Sequence, residues 1–144
     1  MFKDKKEMEE AMISTIAESK EGLKITERIG LTFESCDFEE KSVTFHFLYR
    51  DYFANQFGYL AGAVITSILE LSCGTLANAM TGKLGTVVSD LYVTFISSTK
   101  ITGDVFCKAT IIKEGRTVIR TKAEIFDPET GKVTVTASAN SFRV

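Results

Sequence analysis

The apolar residues of this chain recur first at helical and then at strand spacing. Between residues 4 and 20, Met8, Ala11, Met12 and Ile16 fall three and four apart among charged residues, which predicts an amphipathic helix with one buried face. Gly22, after Glu21, suits the end of that helix. Two strand-like runs follow at 31–37 and 42–49. In the second, Val43, Phe45 and Phe47 alternate with Thr44, His46 and Leu48, and Phe38-Glu39-Glu40-Lys41 supplies the turn between the runs.

The middle of the chain breaks this pattern. From residue 52 to 82 the only charged residue is Glu70. At the chain's average of 25% charged residues, a stretch of that length should carry about eight, so a buried element is implied. Residues 61–80 fit one helix, with Val64, Ile65, Ile68, Leu69, Ser72 and Leu76 at helical spacing and Thr81-Gly82-Lys83 as its stop. Four further strands are expected at 85–95, 103–113, 116–127 and 132–143. Turns at 97–100, at Lys113-Glu114-Gly115 and at Pro128-Glu129-Thr130-Gly131 mark them as antiparallel. Two strands, a long apolar helix and four antiparallel strands make an α+β fold. A sheet wrapped around a central helix explains why that helix is apolar almost all round, and leaves the N-terminal helix (1–22) packed peripherally.

Composition narrows the classes. With 144 residues, 44% hydrophobic, the chain is sized for one domain, 1–144, with a substantial core. A net charge of -2 gives no general attraction to nucleic acid. Cys36, Cys73 and Cys107 are far apart and form no C-x-x-C pair, which suits a reducing cytoplasm rather than a disulfide scaffold or zinc ribbon. The charged N-terminus is not followed by an apolar segment, so no signal peptide is expected. Thr66, Ser67, Glu70 and Ser72 interrupt the best candidate for a membrane span, so none is expected either.

Glu70 is the sharpest chemical signal. A carboxylate is costly to bury unless hydrogen-bonded, protonated or functional, and an apolar pocket raises its pKa toward the range of a general base or nucleophile. The competing structural explanation is an ion pair with a distant Lys or Arg. A second signal is Asn55-Gln56-Phe57-Gly58-Tyr59-Leu60-Ala61-Gly62. It places Gly62 at a helix entry, where a backbone N–H without an intrahelical partner can polarise a carbonyl; tight packing of helix on sheet explains the same glycine. Gly62 and Glu70 are eight residues apart, roughly 12 Å along one helix. If both act on one carbonyl, they come from two subunits related by a two-fold axis.

Other residues carry weaker signals. His46, the sole histidine, sits mid-strand and reads as structural or surface rather than catalytic. A metal site is not expected, since zinc takes several His or Cys ligands. Cys73 reads as close packing. No G-x-G-x-x-G or Walker pattern is present. Lys108, Lys113, Arg116, Arg120 and Lys122 cluster in sequence around Gly115, as a phosphate-holding turn or simply a solvated hairpin would.

The run Asn55-x-x-Gly58-x-x-Ala61-Gly62-Ala63-x-x-x-x-Ile68-x-Glu70 resembles the N-x-x-G-x-x-H-G-G-x-x-x-x-L-x-D/E pattern of phenylacetate-pathway-type and related hotdog-fold acyl-CoA thioesterases, which include the 4-hydroxybenzoyl-CoA thioesterase-like proteins. Residues 90–95, Gly103-Asp104 and Lys113-Glu114-Gly115-Arg116-Thr117 continue the likeness, so that it covers about 30–143. The resemblance implies a hotdog fold, a homodimer or homotetramer, and an acyl-CoA substrate with no separate cofactor. It implies that Glu70 activates water or attacks the thioester, while Gly62 of the other subunit polarises the carbonyl and Asn55 helps place water or substrate. Lys113, Gly115, Arg116 and Thr117 would contact coenzyme A, with Ala61, Val88 and Ser89 lining the substrate. Two departures stand out: Ala61 replaces the pattern's histidine, and Val88, with Ser89 adjacent, stands where a Ser or Thr often follows. They motivate an alternative, a non-catalytic acyl-CoA-binding or sensing module. A dehydratase, which would call for His46 beside the partner's Glu70, is a third reading.

Overall fold

The computed structural model describes residues 1–22, 24–82 and 85–144. Its first helix, α1 (Lys5–Gly22), is capped by Asp4, whose Oδ1 accepts the Glu7 N–H at 2.8 Å. Met8, Met12 and Ile16 form its buried face, as their spacing requires. A short helix, α2 (Lys24–Ile29), follows and was not foreseen; with only six residues it is too short for periodicity to reveal.

The strands are β1 (Leu31–Asp37), β2 (Ser42–Phe47), β3 (Thr86–Phe95), β4 (Val105–Glu114), β5 (Val118–Phe126) and β6 (Val133–Arg143), with the long helix α3 (Gly62–Thr81) between β2 and β3. All six strands join one antiparallel sheet in the order β1-β2-β4-β5-β6-β3. Thus α3 carries the chain from one side of the sheet to the opposite edge, and the sheet curls around it, touching it with every strand from β2 to β6. Helix α1 packs on α3 and β1. The expected strand 42–49 stops at Phe47 because the chain turns away, with the Tyr49 N–H donating to Asp104 Oδ1 at 2.7 Å and a 3-10 turn at Asp51–Phe53.

Burial explains the composition of α3. Ile68, Leu69, Cys73, Leu76 and Ala77 have no exposed surface, and share one buried core with Phe45, Phe47, Ile119 and Ile125 of the sheet. Inward-pointing Ala109, Ala123, Ala137 and Ala139 are buried too, and such small side chains let a helix lie close. The residues of α3 that keep some exposure are Gly62, Ala63, Thr66, Ser67, Glu70, Gly74, Asn78 and Thr81, a narrow stripe at three- and four-residue spacing. Although α3 has the length and mean hydropathy of a membrane span, 67% of its apolar window is buried inside the protein. Its C-terminus is set by Gly82, at φ 69°, whose N–H bonds the Ala79 carbonyl at 3.2 Å. Lys83, the last residue of the expected helix stop, lies outside the described residues.

Truncating the wrapped helix should therefore be severe. Ile68→Ala is expected to lower unfolding free energy by about 2–5 kcal/mol, whereas Ile13→Ala, at 56% exposure on α1, should change it by less than about 0.5 kcal/mol. Urea denaturation of the two variants checks this, and equal losses would contradict the burial described.

Candidate active site

The exposed stripe of α3 runs along the edge strand β3. At one end, a Cβ on Gly62 would lie 3.7 Å from the Phe95 ring; in the middle, one on Gly74 would lie 3.3 Å from Val88 Cγ2 and 3.8 Å from Glu70 Oε1. At the other end Asn78 Oδ1 accepts the Thr86 N–H at 2.8 Å. Glu70 therefore sits where helix, edge strand and solvent meet. Its carboxylate is half-buried, and among the described residues it has neither an ion pair nor a hydrogen bond. The ion pair that the sequence left open is not formed with any described residue. Burial alone raises its pKa above the ordinary carboxylate value.

Gly62 is the first residue of α3, after Ala61 in an extended conformation at φ -66°, ψ 138°. Its N–H is one of the helix's orphan donors, and it is exposed. It opens onto a groove of 370 Å³ lined by Asn55, Tyr59, Leu60, Ile65, Phe95 and residues 97–99. Asn55 belongs to this groove but is partly committed. Its Oδ1 accepts the N–H groups of Phe57 and Tyr59 at 2.9 and 3.0 Å, fixing the loop before the helix and leaving the amide Nδ2 as its free function. The structure thus brings Asn55 and Gly62 together at the start of α3, with Glu70 two turns further along.

The Lys113–Val118 turn forms a separate basic site. The Gly115 N–H bonds the Val118 carbonyl at 2.9 Å, and a Cβ on Gly115 would approach that oxygen to 2.6 Å, so only glycine fits. One side is a groove of 290 Å³ lined by Lys113, Gly115, Thr117, Val118 and Arg120. The other, of 420 Å³, is lined by Glu114, Gly115, Arg116 and Arg143. Lys113 and Arg116 are exposed. Arg143 was missed: its Nε donates to the Gly115 carbonyl at 3.3 Å and its Nη2 to Glu114 Oε1 at 3.0 Å, bracing the turn from the end of β6. Only strand register, which no local motif announces, brings it there. Lys108 does not belong to this cluster. It lies six residues before Glu114, about 20 Å along β4, and pairs with Glu40 at 2.6 Å.

Val88 and Ser89 part company. The register between β3 and β6 shifts between Val88 and Asp90, and such a bulge re-aims side chains. Val88 faces Gly74, while Ser89 is exposed and bonds Asp90 Oδ2 at 3.0 Å and the Asn140 carbonyl at 3.1 Å. His46 is committed elsewhere. It bonds Asp104 Oδ2 at 2.6 Å and stacks on Phe106. Asp104 is held below the usual carboxylate range by the Tyr49 N–H first and His46 second. With β2 four strands from β3 in the sheet order, His46 stands roughly 19 Å across the sheet from that edge. Within the protomer His46 thus pairs with Asp104 and not with Glu70. Burial pushes the Cys73 and Cys107 thiols up to about 11 and about 12, so neither offers a thiolate at neutral pH.

Comparison with known proteins bears on the family and the fold. A family model described as the thioesterase superfamily matches residues 57–134, a segment that includes Gly62, Glu70, Val88 and the Gly115 turn. No curated protein matches the chain in sequence. Among solved structures, a thioesterase family protein from Silicibacter pomeroyi superposes with a TM-score of 0.76 at 16% identity, covering 92% of this chain and 98% of that one. Zebrafish thioesterase superfamily member 2 gives 0.73 at 17% identity, covering 92% and 94%. The E. coli PaaI protein from the phenylacetic acid degradation operon gives 0.72 at 14% identity, covering 92% and 96%. The architecture is the hotdog fold of these proteins.

The unpartnered carboxylate has a consequence for stability. A carboxyl whose folded pKa is raised binds its proton more tightly folded than unfolded. Its stabilising contribution is present at acid pH and lost as pH rises through the ordinary range and the raised folded value. Glu70→Gln should thus unfold at higher denaturant than the native protein at neutral pH, with the two curves converging below about pH 4. Equal midpoints at neutral pH would mean that the carboxylate is not desolvated.

Proposed function

Because the chain belongs to the thioesterase superfamily, we propose that it hydrolyses an acyl-CoA thioester, giving a carboxylic acid and coenzyme A, at a site shared by two subunits. The observation that carries this reading is the half-buried, unpartnered Glu70 carboxylate, raised in pKa by burial alone, on the one stripe of α3 left open. Such a group serves as a general base toward water or as a nucleophile toward the thioester carbon. In either route water adds across the C–S bond, and the sulfur leaves as the coenzyme A thiol once protonated.

Carbonyl polarisation falls to the Gly62 N–H, with the free Asn55 Nδ2 beside it. Within one protomer Gly62 and Glu70 are about 12 Å apart along the helix, too far to act on one carbonyl. Two antiparallel copies of α3 bring each Glu70 to the partner's helix start, twice per dimer. The surface suits such pairing. Beside the open stripe, β3 is an edge of the sheet, and apolar side chains are exposed along it: Val87 and Tyr92 on its outer face, 58% and 73% exposed, and Phe95 beside Gly62, 55% exposed, as expected of an edge that a second copy covers. Lys113 and Arg116 at the Gly115 turn supply cations for the phosphates of coenzyme A. Ala61, where similar thioesterases carry a histidine, favours a second reading in which acyl-CoA is bound without turnover; release of coenzyme A beyond one equivalent per site excludes it.

The test uses thiol release from short, long and aromatic acyl-CoAs. Glu70→Ala should lower kcat by about 10²–10⁴-fold. Gly62→Pro deletes the N–H alone, since proline is accepted at the first helical position and the extended Ala61 before it is compatible. Each variant should be inactive by itself. Dimers reassembled from an equal mixture should recover about a quarter of native activity, because half are mixed and each mixed dimer has one intact site. Two folded variants that fail to complement would sink the shared site.

A further inference from the structure

Resting on the hydrolase reading of Glu70, we propose that Gly74 is a positioning residue for it, keeping open a slot between Val88 and Glu70 Oε1 by having no side chain. Residues four apart on a helix are neighbours on one face, so position 74 lies directly beside the Glu70 carboxylate. Glycine within a helix is unfavourable by about 1 kcal/mol relative to alanine, and Gly74 is the only glycine of α3 beyond its first residue. Nothing in the backbone calls for it, because Gly74 lies in regular helix with no positive φ.

The neighbours provide the reason. A methyl at 74 would sit 3.3 Å from Val88 Cγ2, closer than ordinary contact, and 3.8 Å from Glu70 Oε1, in direct contact. It would be wedged between a side chain set by the β3 bulge and the carboxylate. No described residue hydrogen-bonds Glu70, so its ionised form depends on water, and a methyl at position 74, in contact with Oε1, would take the place of water on that side of the carboxylate.

The groups around the slot leave the carboxylate electrostatically alone. Cys73 on α3 is a neutral thiol up to about 11. On β3, Asp90 is held by the Asn140 amide and Ser89. The β6 and β5 residues in register with Val88 and Leu91 are Ser141, Ile119, Ala139 and Thr121, all uncharged. Closing the slot therefore acts through desolvation and displacement of Glu70.

Gly74→Ala should lower kcat about tenfold or more with KM within about twofold, and move the acid limb of the kcat profile to higher pH, because further loss of water raises a carboxyl pKa. Helix propensity predicts no loss of stability from the substitution itself. Adding Val88→Ala should return at least half of the lost kcat, since the new methyl can then move away from Oε1; this double variant also relieves the one tight contact should the single variant fold poorly. A readout independent of turnover is the carboxyl titration of Glu70 by NMR on ¹³C-glutamate-labelled protein, assigned by its loss in Glu70→Gln. Its midpoint should rise in Gly74→Ala and fall back in the double variant. A native midpoint in folded Gly74→Ala overturns the proposal. Hydrolysis that survives in Glu70→Gln, or is absent from the native protein, overturns the hydrolase reading instead, while the titration still decides the role of Gly74.

Discussion

The structure depends on burying α3 on nearly every side. A helix wrapped by a curled sheet cannot carry charge where the sheet touches it, because an unpaired charge in such surroundings is far costlier than an apolar side chain. This accounts for the neutral stretch on either side of Glu70, for the alanines facing the helix, and for the strand order that sends β3 to the far edge. The wrapping stops at β3, where one narrow stripe of the helix stays open, and the single acid of α3 lies on that stripe. A polar group placed there keeps some contact with water while its other sides face apolar atoms, the condition under which a carboxyl stays ionisable with a raised pKa. Fold and chemistry meet through this one geometric fact.

The same geometry divides the proposed chemistry between two places. The orphan donor of a helix is at its first turn, whereas the acid lies two turns further along, on the open stripe beside β3. A straight helix holds the two about 12 Å apart, and no rotamer closes that distance. If they serve one carbonyl, the second helix is a structural necessity, and on the proposed reading the apolar residues exposed along β3 would contribute to recruiting it. The basic turn at Gly115 stands apart from both. Its glycine is fixed by the approach to the Val118 carbonyl, and its cations without a partner among the described residues are Lys113 and Arg116, since Arg120 is turned toward Asn140 and Arg143 braces Glu114.

Much of this was legible in the residues. Helical spacing located α1 and α3, and alternation together with glycine- and proline-marked turns located all six strands to within a few residues, because each long element buries one face and ends at a recognisable break. The isolation of Glu70 was legible for the same reason: one charge in thirty-one residues stands out against the composition of the chain. What escaped had no periodic signature. Helix α2 and the 3-10 turn are shorter than two helical turns. The bulge that separates Val88 from Ser89 depends on pairing with β6, and Arg143 reaches the Gly115 turn only through register. Lys108 was misplaced because nearness in sequence is not nearness along an extended strand, where six residues span about 20 Å. Asn55 was expected in the site, but its role as the fastener of the 55–59 loop appears only with the hydrogen bonds of its Oδ1 in view.

The replacement of the motif histidine by Ala61 bears on which part of the proposed mechanism is robust. A side chain beside the thioester adds to polarisation or placement, but the donor at the helix start is a backbone N–H, carried by any residue other than proline. Ala61 keeps the extended conformation that sets this N–H outward, its own N–H bonds the Phe53 carbonyl at 2.8 Å, and its carbonyl accepts the Ile65 N–H at 2.9 Å. The helix entry is thus held by main-chain bonds that do not depend on an imidazole. On the proposed reading, losing the histidine removes one contribution to rate and leaves the oxyanion donor and the base in place. By contrast, the acid has no substitute: no second carboxylate lies on α3, His46 is bound to Asp104 near the other edge of the sheet, and the buried thiols are neutral. An enzyme arranged in this way tolerates change at position 61 far better than at position 70.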